Sequence, residues 1–185
     1  GVQTCALPIY FHLLRRQVMN DVRRPLVVFT PKAPLRMKES RSHIDELTHG
    51  SFHEVLDDPY VIDPAAVRRV VFCSGKVVWD AMAERAKRNA PVAIGRVEQL
   101  YPFPGDQMRA MLSRYPNARE VVWLQEEPDN MGPWHFVESR FWSIKDQGYD
   151  LRLVSRIGSG SPATGSMKVH QQELEDMMDE TFGDL

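Results

Sequence analysis

The chain has 185 residues, of which 43% are hydrophobic and 26% charged, and it carries a formal net charge of -2 at pH 7. That length suits one well-buried core rather than two, and the charge balance excludes a general nucleic-acid binder, which needs a concentrated excess of Lys and Arg to neutralise phosphates. No apolar run approaches the roughly 20 residues that span a bilayer, so neither nucleic acid nor membrane is an expected partner.

Residues 1–9, GVQTCALPI, have no period and give way abruptly to YFHLLRRQVMN. They are expected to be a non-native or disordered leader, and they lack the basic start and cleavage site of a secretory signal. From Tyr10 to about Asn20 the spacing predicts a helix, with Tyr10, Phe11, Leu13, Leu14, Val18 and Met19 on one broad face and Arg15 and Arg16 near its edge. Pro25 opens PLVVF, a predicted strand of apolar, largely β-branched residues. TPKAPLRMKESR holds two prolines and stays irregular to about Ser42. A short helix through HIDELTH is expected to end at Gly50 in a left-handed cap. SFHEVLDDP reads as a short extended segment, and Asp63-Pro64 as the start of a turn or short helix.

The stretch from Val67 to Gln125 organises the chain, because short all-apolar runs alternate with segments of helical spacing. RVVFC, VAIGRVEQL and EVVWLQ are strands covered on both faces, and the helices between them begin near Val77, capped by Ser74, and at Pro104 or Gly105. QEEPDNMGPW is expected to be a loop. Beyond it come a helix from about Pro133 to Asp146 with Trp134, Val137, Phe141 and Ile144 on one side, a strand LRLVSR, a Gly/Ser-rich segment IGSGSPATGS and a closing helix from Lys168 to Phe182. About five strands with helical crossovers define an α/β fold, a three-layer αβα domain with a mostly parallel sheet. Trp79, Trp123, Phe72 and Ile94 belong to its core. Cys73 ends a buried strand, and with Cys5 in a different context a reduced cytoplasmic thiol is expected rather than a disulfide.

Sites in open α/β sheets lie beyond the carboxyl ends of the strands. The loops there are Thr30–Lys32, Ser74–Lys76, Glu98–Pro104 and Gln125–Pro128. SGK at a helix start fits either a plain cap or an anion contact, since free N–H groups and a lysine both favour negative charge; it lacks the glycine spacing of a phosphate loop. Glu126 and Glu127 are neighbours on an extended chain and point to opposite faces, which makes them a poor acid/base pair. The six histidines show no metal-ligand spacing, and no G-x-S-x-G elbow is present. The basic residues Arg15, Arg16, Arg23, Arg24, Lys32, Arg36, Lys38 and Arg41 form either a solvated face or a surface for an anionic ligand or acidic partner. The anion and effector candidates are Arg15, Arg24, Lys32, Ser74, Lys76 and Gln99. No catalytic, cofactor-binding or metal-ligating residue is assigned.

The strings YFHLLRRQ, RRPLVVFTPKAPLR, VVFCSGKV, RVEQLYPFP, VVWLQEEPDNMGPW and SGSPATGSMKVHQQE resemble the C-terminal region of the thiamine-diphosphate-dependent first component of the 2-oxoglutarate dehydrogenase complex, from Tyr10 to about Asp179. LYPFP and QEEPDNMGPW argue for this branch over other thiamine-dependent dehydrogenases and transketolases. The resemblance implies a transketolase C-terminal-like domain over residues 10–185, within a cytoplasmic enzyme that decarboxylates 2-oxoglutarate on thiamine diphosphate and magnesium and passes the succinyl group to lipoyl arms. It also implies that catalytic and cofactor-binding residues belong to preceding domains. The fragment is then inactive alone and binds neither cofactor. Its partners are the remaining domains of the subunit, a homodimer mate and the dihydrolipoyl succinyltransferase core.

Actinobacterial members of the family bind acetyl-CoA as an activator in this domain, and Arg15 and Gln99 match that site. Ser51, Glu54, Asp106 and Gln107 stand where those relatives carry Lys, Ser and an Arg pair. The lost cations and gained carboxylates oppose a polyphosphate ligand, so the resemblance implies weak or absent acetyl-CoA activation. The competing expectation is a stand-alone anion-sensing or protein-interaction module.

Overall fold

The uninterrupted apolar runs form the centre of a five-stranded sheet in the computed structural model, which describes residues 7–28, 30–61, 63–141, 146 and 148–185. Its strands are β1 (Val55–Leu56), β2 (Arg69–Cys73), β3 (Val92–Val97), β4 (Glu120–Pro128) and β5 (Asp150–Arg156), in the spatial order β1-β3-β2-β4-β5. β2 pairs in parallel with β3 and β4, and β4 in parallel with β5; only β1 runs antiparallel, against β3. The helices are α1 (Leu7–Met19), α2 (Ile44–Thr48), α3 (Val77–Arg88), α4 (Gly105–Leu112), α5 (Trp134–Glu138) and α6 (Met167–Phe182). This is the expected α/β class with a mostly parallel sheet.

Alternation along the strands sends side chains to two separate cores. Val70, Phe72, Ala93, Val121 and Trp123 meet Met108, Met111 and Leu112 of α4 together with Val137 and Phe141. On the opposite face, Val71, Cys73, Ile94, Val122 and Leu124 meet Val77, Val78 and Ala81 of α3 and Met177, Met178 and Phe182 of α6. Phe72, Ile94 and Trp123 are fully buried and Trp79 nearly so, each contributing about 1.5–3 kcal/mol of transfer free energy. Cys73 is buried, its Sγ 4.0 Å from the Gly95 carbonyl oxygen.

Several elements differ from the sequence expectation. α1 opens at Leu7 rather than Tyr10, so the last three residues assigned to the leader are helical, and Ile9 is buried; residues 1–6, with Cys5, lie outside the described residues. PLVVF forms no strand over residues 25–28, and Val27 is 73% exposed. The outer edge of β3 is taken instead by β1. Gly50 does not take a left-handed conformation. Space requires it: an added Cβ would fall 2.3 Å from the Glu46 carbonyl oxygen and 2.9 Å from His12 Nε2. β4 continues through Gln125 to Pro128, with a register shift after Leu124, where a loop is expected. α5 stops at Glu138, short of Asp146, and residues 142–145 and 147, Ile144 among them, lie outside the described residues.

Candidate functional site

α3 follows β2 on one face of the sheet, while α5 follows the neighbouring β4 on the other. The carboxyl ends of β2 and β4 therefore flank the point at which the connections diverge, where open α/β sheets have their crevice. Here that crevice carries the SGK loop and the QEEP end of β4. The chain turns through Gly75 at φ 78°, and Lys76 rather than Ser74 takes the N-cap position of α3. Lys76 then reaches across, its Nζ 3.1 Å from Glu126 Oε1 and 3.2 Å from Asp80 Oδ2. The ammonium bridges β2 and β4 and is held between two carboxylates, which leaves it poorly placed to receive an anion.

Burial opposes the charged form of Lys76, but Glu126 and Asp80 outweigh it and raise its pKa above the ordinary 10.5. With the folded pKa raised, the stability from this pairing is fully present below the unfolded pKa and is lost as pH rises through the folded one. A Lys76→Met variant is expected to lose less stability than the parent between about pH 9 and 12 in denaturant titrations. Equal losses in the two proteins would contradict the pairing.

Gln125 fixes the other side of the crevice. Its Oε1 accepts from Trp123 Nε1 (3.2 Å) and from the Trp134 backbone N–H (3.1 Å), and its Nε2 donates to the carbonyls of Pro128 (3.1 Å) and Met131 (2.9 Å). Gly132, at φ 68°, packs against this amide, and any Cβ there would lie 3.1 Å from Gln125 Nε2. Asn130 and Ser159 exchange hydrogen bonds of 3.0 and 3.1 Å, so the QEEPDN segment is also stitched to the Gly/Ser-rich one.

At the end of β3, Gln99 accepts from Arg16 Nη1 at 2.8 Å and donates to the Pro102 carbonyl at 3.3 Å, beside the cis Tyr101–Pro102 bond. The Arg16 guanidinium also lies 3.9 Å from the centroid of the Phe52 ring. The structure thus brings Gln99 to Arg16, not to Arg15, which is exposed. Helix phase favoured Arg16, which is three, four and seven residues from the buried Leu13, His12 and Ile9, although both arginines are exposed. Arg24 and Lys32 are exposed on the irregular segment and join neither cluster through their side chains among the described contacts. Sequence reading missed Arg96 and Glu98, whose side chains are 13% and 5% exposed and which pair at 2.8 Å with Arg96 lying 5.3 Å from the centroid of the Trp79 ring.

Among the described residues no three His, Cys, Asp or Glu side chains gather in one place, and Lys76, at the start of α3, is paired with Glu126 and Asp80.

Residues 41–182 match the family model described as 2-oxoglutarate dehydrogenase C-terminal. The 2-oxoglutarate dehydrogenase E1 component of Cupriavidus necator is 41% identical over 95% of this chain and 18% of its own length. The 2-oxoglutarate dehydrogenase E1/E2 component of Corynebacterium glutamicum is 41% identical over 98% of the chain and 15% of its own length. The 2-oxoadipate dehydrogenase complex component E1 of Mus musculus is 44% identical over 94% of the chain and 19% of its own length. The chain therefore spans less than a fifth of the length of these relatives.

Proposed function

The chain belongs to the 2-oxoglutarate dehydrogenase C-terminal family, and from that premise we propose that residues 10–185 act as the transketolase C-terminal-like domain of a thiamine-diphosphate- and magnesium-dependent 2-oxoglutarate dehydrogenase subunit. One observation carries this reading: near-complete coverage of this chain at 41–44% identity by relatives of which it matches only 15–19% of the length. The domain completes the subunit and braces a homodimer in the cytoplasm, while the cofactor and the reacting atoms are held by the preceding domains. The subunit in turn serves a dihydrolipoyl succinyltransferase core. The outer face of α1 supports a role inside a larger subunit, because Val18 and Met19 are 67% and 72% exposed alongside Phe11 and Leu14, an apolar surface that the rest of the polypeptide would cover.

The isolated 185-residue chain, supplied with thiamine diphosphate, magnesium and 2-oxoglutarate, is expected to release no carbon dioxide while giving the circular dichroism of a folded α/β domain. Turnover would overturn the assignment of the chemistry to other domains. Running the same assay on the parent subunit with 2-oxoadipate decides between the two substrates for which the relatives are named.

Acetyl-CoA is expected not to activate that parent subunit. Glu54 and Asp106 add negative charge beside Phe52 and at the start of α4, and each opposes a polyphosphate. Calorimetry is expected to show no saturable heat with acetyl-CoA, and tight binding abolished by Arg15→Ala would contradict this. The second reading, an independent anion-sensing or interaction module, rests on the exposed Arg15, Arg24 and Lys32, and the engagement of Lys76 with carboxylates speaks against it.

A further inference from the structure

The composition of PLVVF favours a strand, yet its backbone joins no ladder. Among the described residues, the N–H and C=O groups of Leu26, Val27 and Val28 bond to no other backbone group. Strand edges that face water are guarded by charges, by shortness or by proline. β5, at one edge of this sheet, carries Asp150 and Arg152, and β1 at the other is two residues long. Residues 26–28 carry no charge, Val27 is 73% exposed, and Pro25 stands only at the start of the run, where a strand tolerates it. Such an unguarded, unpaired apolar run is a template for strand addition.

α1, just ahead of the run, is apolar on two opposite sides. Ile9 and Leu13 are 3% and 2% exposed. At about 100° per residue, Phe11, Leu14 and Val18 lie within about 60° of one another and away from Ile9 and Leu13, and they are 44%, 43% and 67% exposed. A helix apolar on both sides belongs between two bodies. The second body is indicated by the extent of the matches. α1 and the run lie ahead of residues 41–182, which match the C-terminal family model. Relatives nevertheless align with 95% and 98% of the chain, well ahead of residue 41, within polypeptides of which it matches only 18% and 15%.

We propose that residues 26–28 add as a strand to the edge of a β-sheet in the polypeptide that precedes this chain in its parent subunit, and that the outer face of α1 packs on the same body. The partner is an edge strand of that subunit, with open backbone N–H and C=O groups and apolar side chains beside them. The inference rests on the reading of this chain as part of a longer subunit and goes beyond it by assigning the joint.

Hydrogen exchange at residues 26–28 is followed by mass spectrometry in the 185-residue chain and in the parent subunit. The slowest of these amides is expected to exchange at least about a hundredfold more slowly in the parent. Successive N–H groups of a strand point to opposite edges, so one of Val27→Pro and Val28→Pro removes a ladder donor. Neither is expected to change the thermal midpoint of the 185-residue chain, whereas at least one is expected to speed exchange at its neighbours in the parent about tenfold. Equal exchange in the two proteins, or protection in the parent that survives both substitutions, would overturn the proposal. So would protection that appears in the 185-residue chain as its concentration rises, which would assign the strand to a second copy. Carbon dioxide release from 2-oxoglutarate by the same parent preparation reports on the enzymatic reading separately. An active parent with unprotected residues 26–28 refutes the joint alone, and an inactive parent with protected ones refutes the enzymatic reading alone.

Discussion

Replacing Asp58 with alanine is expected to cost about 3–5 kcal/mol, the range for removing one partner of a buried ion pair, against a total stability of about 5–15 kcal/mol for a typical domain. The Asp58 side chain is 0% exposed and pairs with Arg85, itself 11% exposed. The same carboxylate accepts from the backbone N–H of Ile94 at 2.8 Å and of Tyr60 at 2.9 Å. Its position follows from the shortness of the edge strand. β1 has only Val55 and Leu56, paired with Val97 and Arg96, so the ladder ends before it reaches Ile94, and Asp58 satisfies the N–H that a longer strand would have taken. Alanine would leave that amide and a buried guanidinium without partners. Asp58→Asn keeps the acceptor for Ile94 and loses only the charge, so a smaller loss is expected. Guanidinium titration at constant m-value reads both, and a loss under about 0.5 kcal/mol for alanine, the size expected at an inert surface position, would contradict this account.

Trp123→Ala is expected to cost a further independent 3–5 kcal/mol or so, as for other large aromatic truncations in a core. Trp123 is fully buried at the centre of β4, in register with Phe72 and edge-to-face with Phe141 at a centroid distance of 6.5 Å. Its indole also donates to Gln125, the residue that holds the Trp134 amide and the Met131 carbonyl. The substitution should therefore loosen residues 126–133 as well as open a cavity, and hydrogen exchange at the Trp134 amide should quicken. Trp123→Phe fills most of the volume and should cost less. Stability loss with unchanged exchange at Trp134 would mean that Gln125 holds the loop without the indole.

The sheet was legible wherever apolar residues ran together or alternated with polar ones between turn residues: RVVFC, VAIGRV, EVVWL and LRLVSR are all strands. PLVVF had the same composition and forms no strand over residues 25–28, because an apolar run does not encode which sheet edge, if any, it joins; the outer edge of β3 is held by β1 and Asp58. β4 outran its expected end because the tertiary bonds of Gln125, not local turn propensity, set the path of QEEPDN. In the candidate site, Gln99 and Lys76 were visible as polar residues at strand ends, and the i,i+4 spacing of Lys76 and Asp80 was readable too. The partner Glu126 lies 50 positions from Lys76 in the chain, and only the parallel pairing of β2 with β4 brings the two together. Arg16 against Arg15 was decidable from helix phase. The pairing of Arg96 with Glu98 was not, since residues two apart share a face of a strand only where both remain extended.

The most direct test joins residues 10–185 to the preceding part of the Cupriavidus necator relative in place of its own C-terminal region. The resulting subunit, with thiamine diphosphate and magnesium, is predicted to decarboxylate 2-oxoglutarate, whereas the same relative truncated before this region is predicted not to. A folded, dimeric chimera without that activity, or a truncated subunit that retains it in full, would contradict the assignment of this chain as the domain that completes the enzyme.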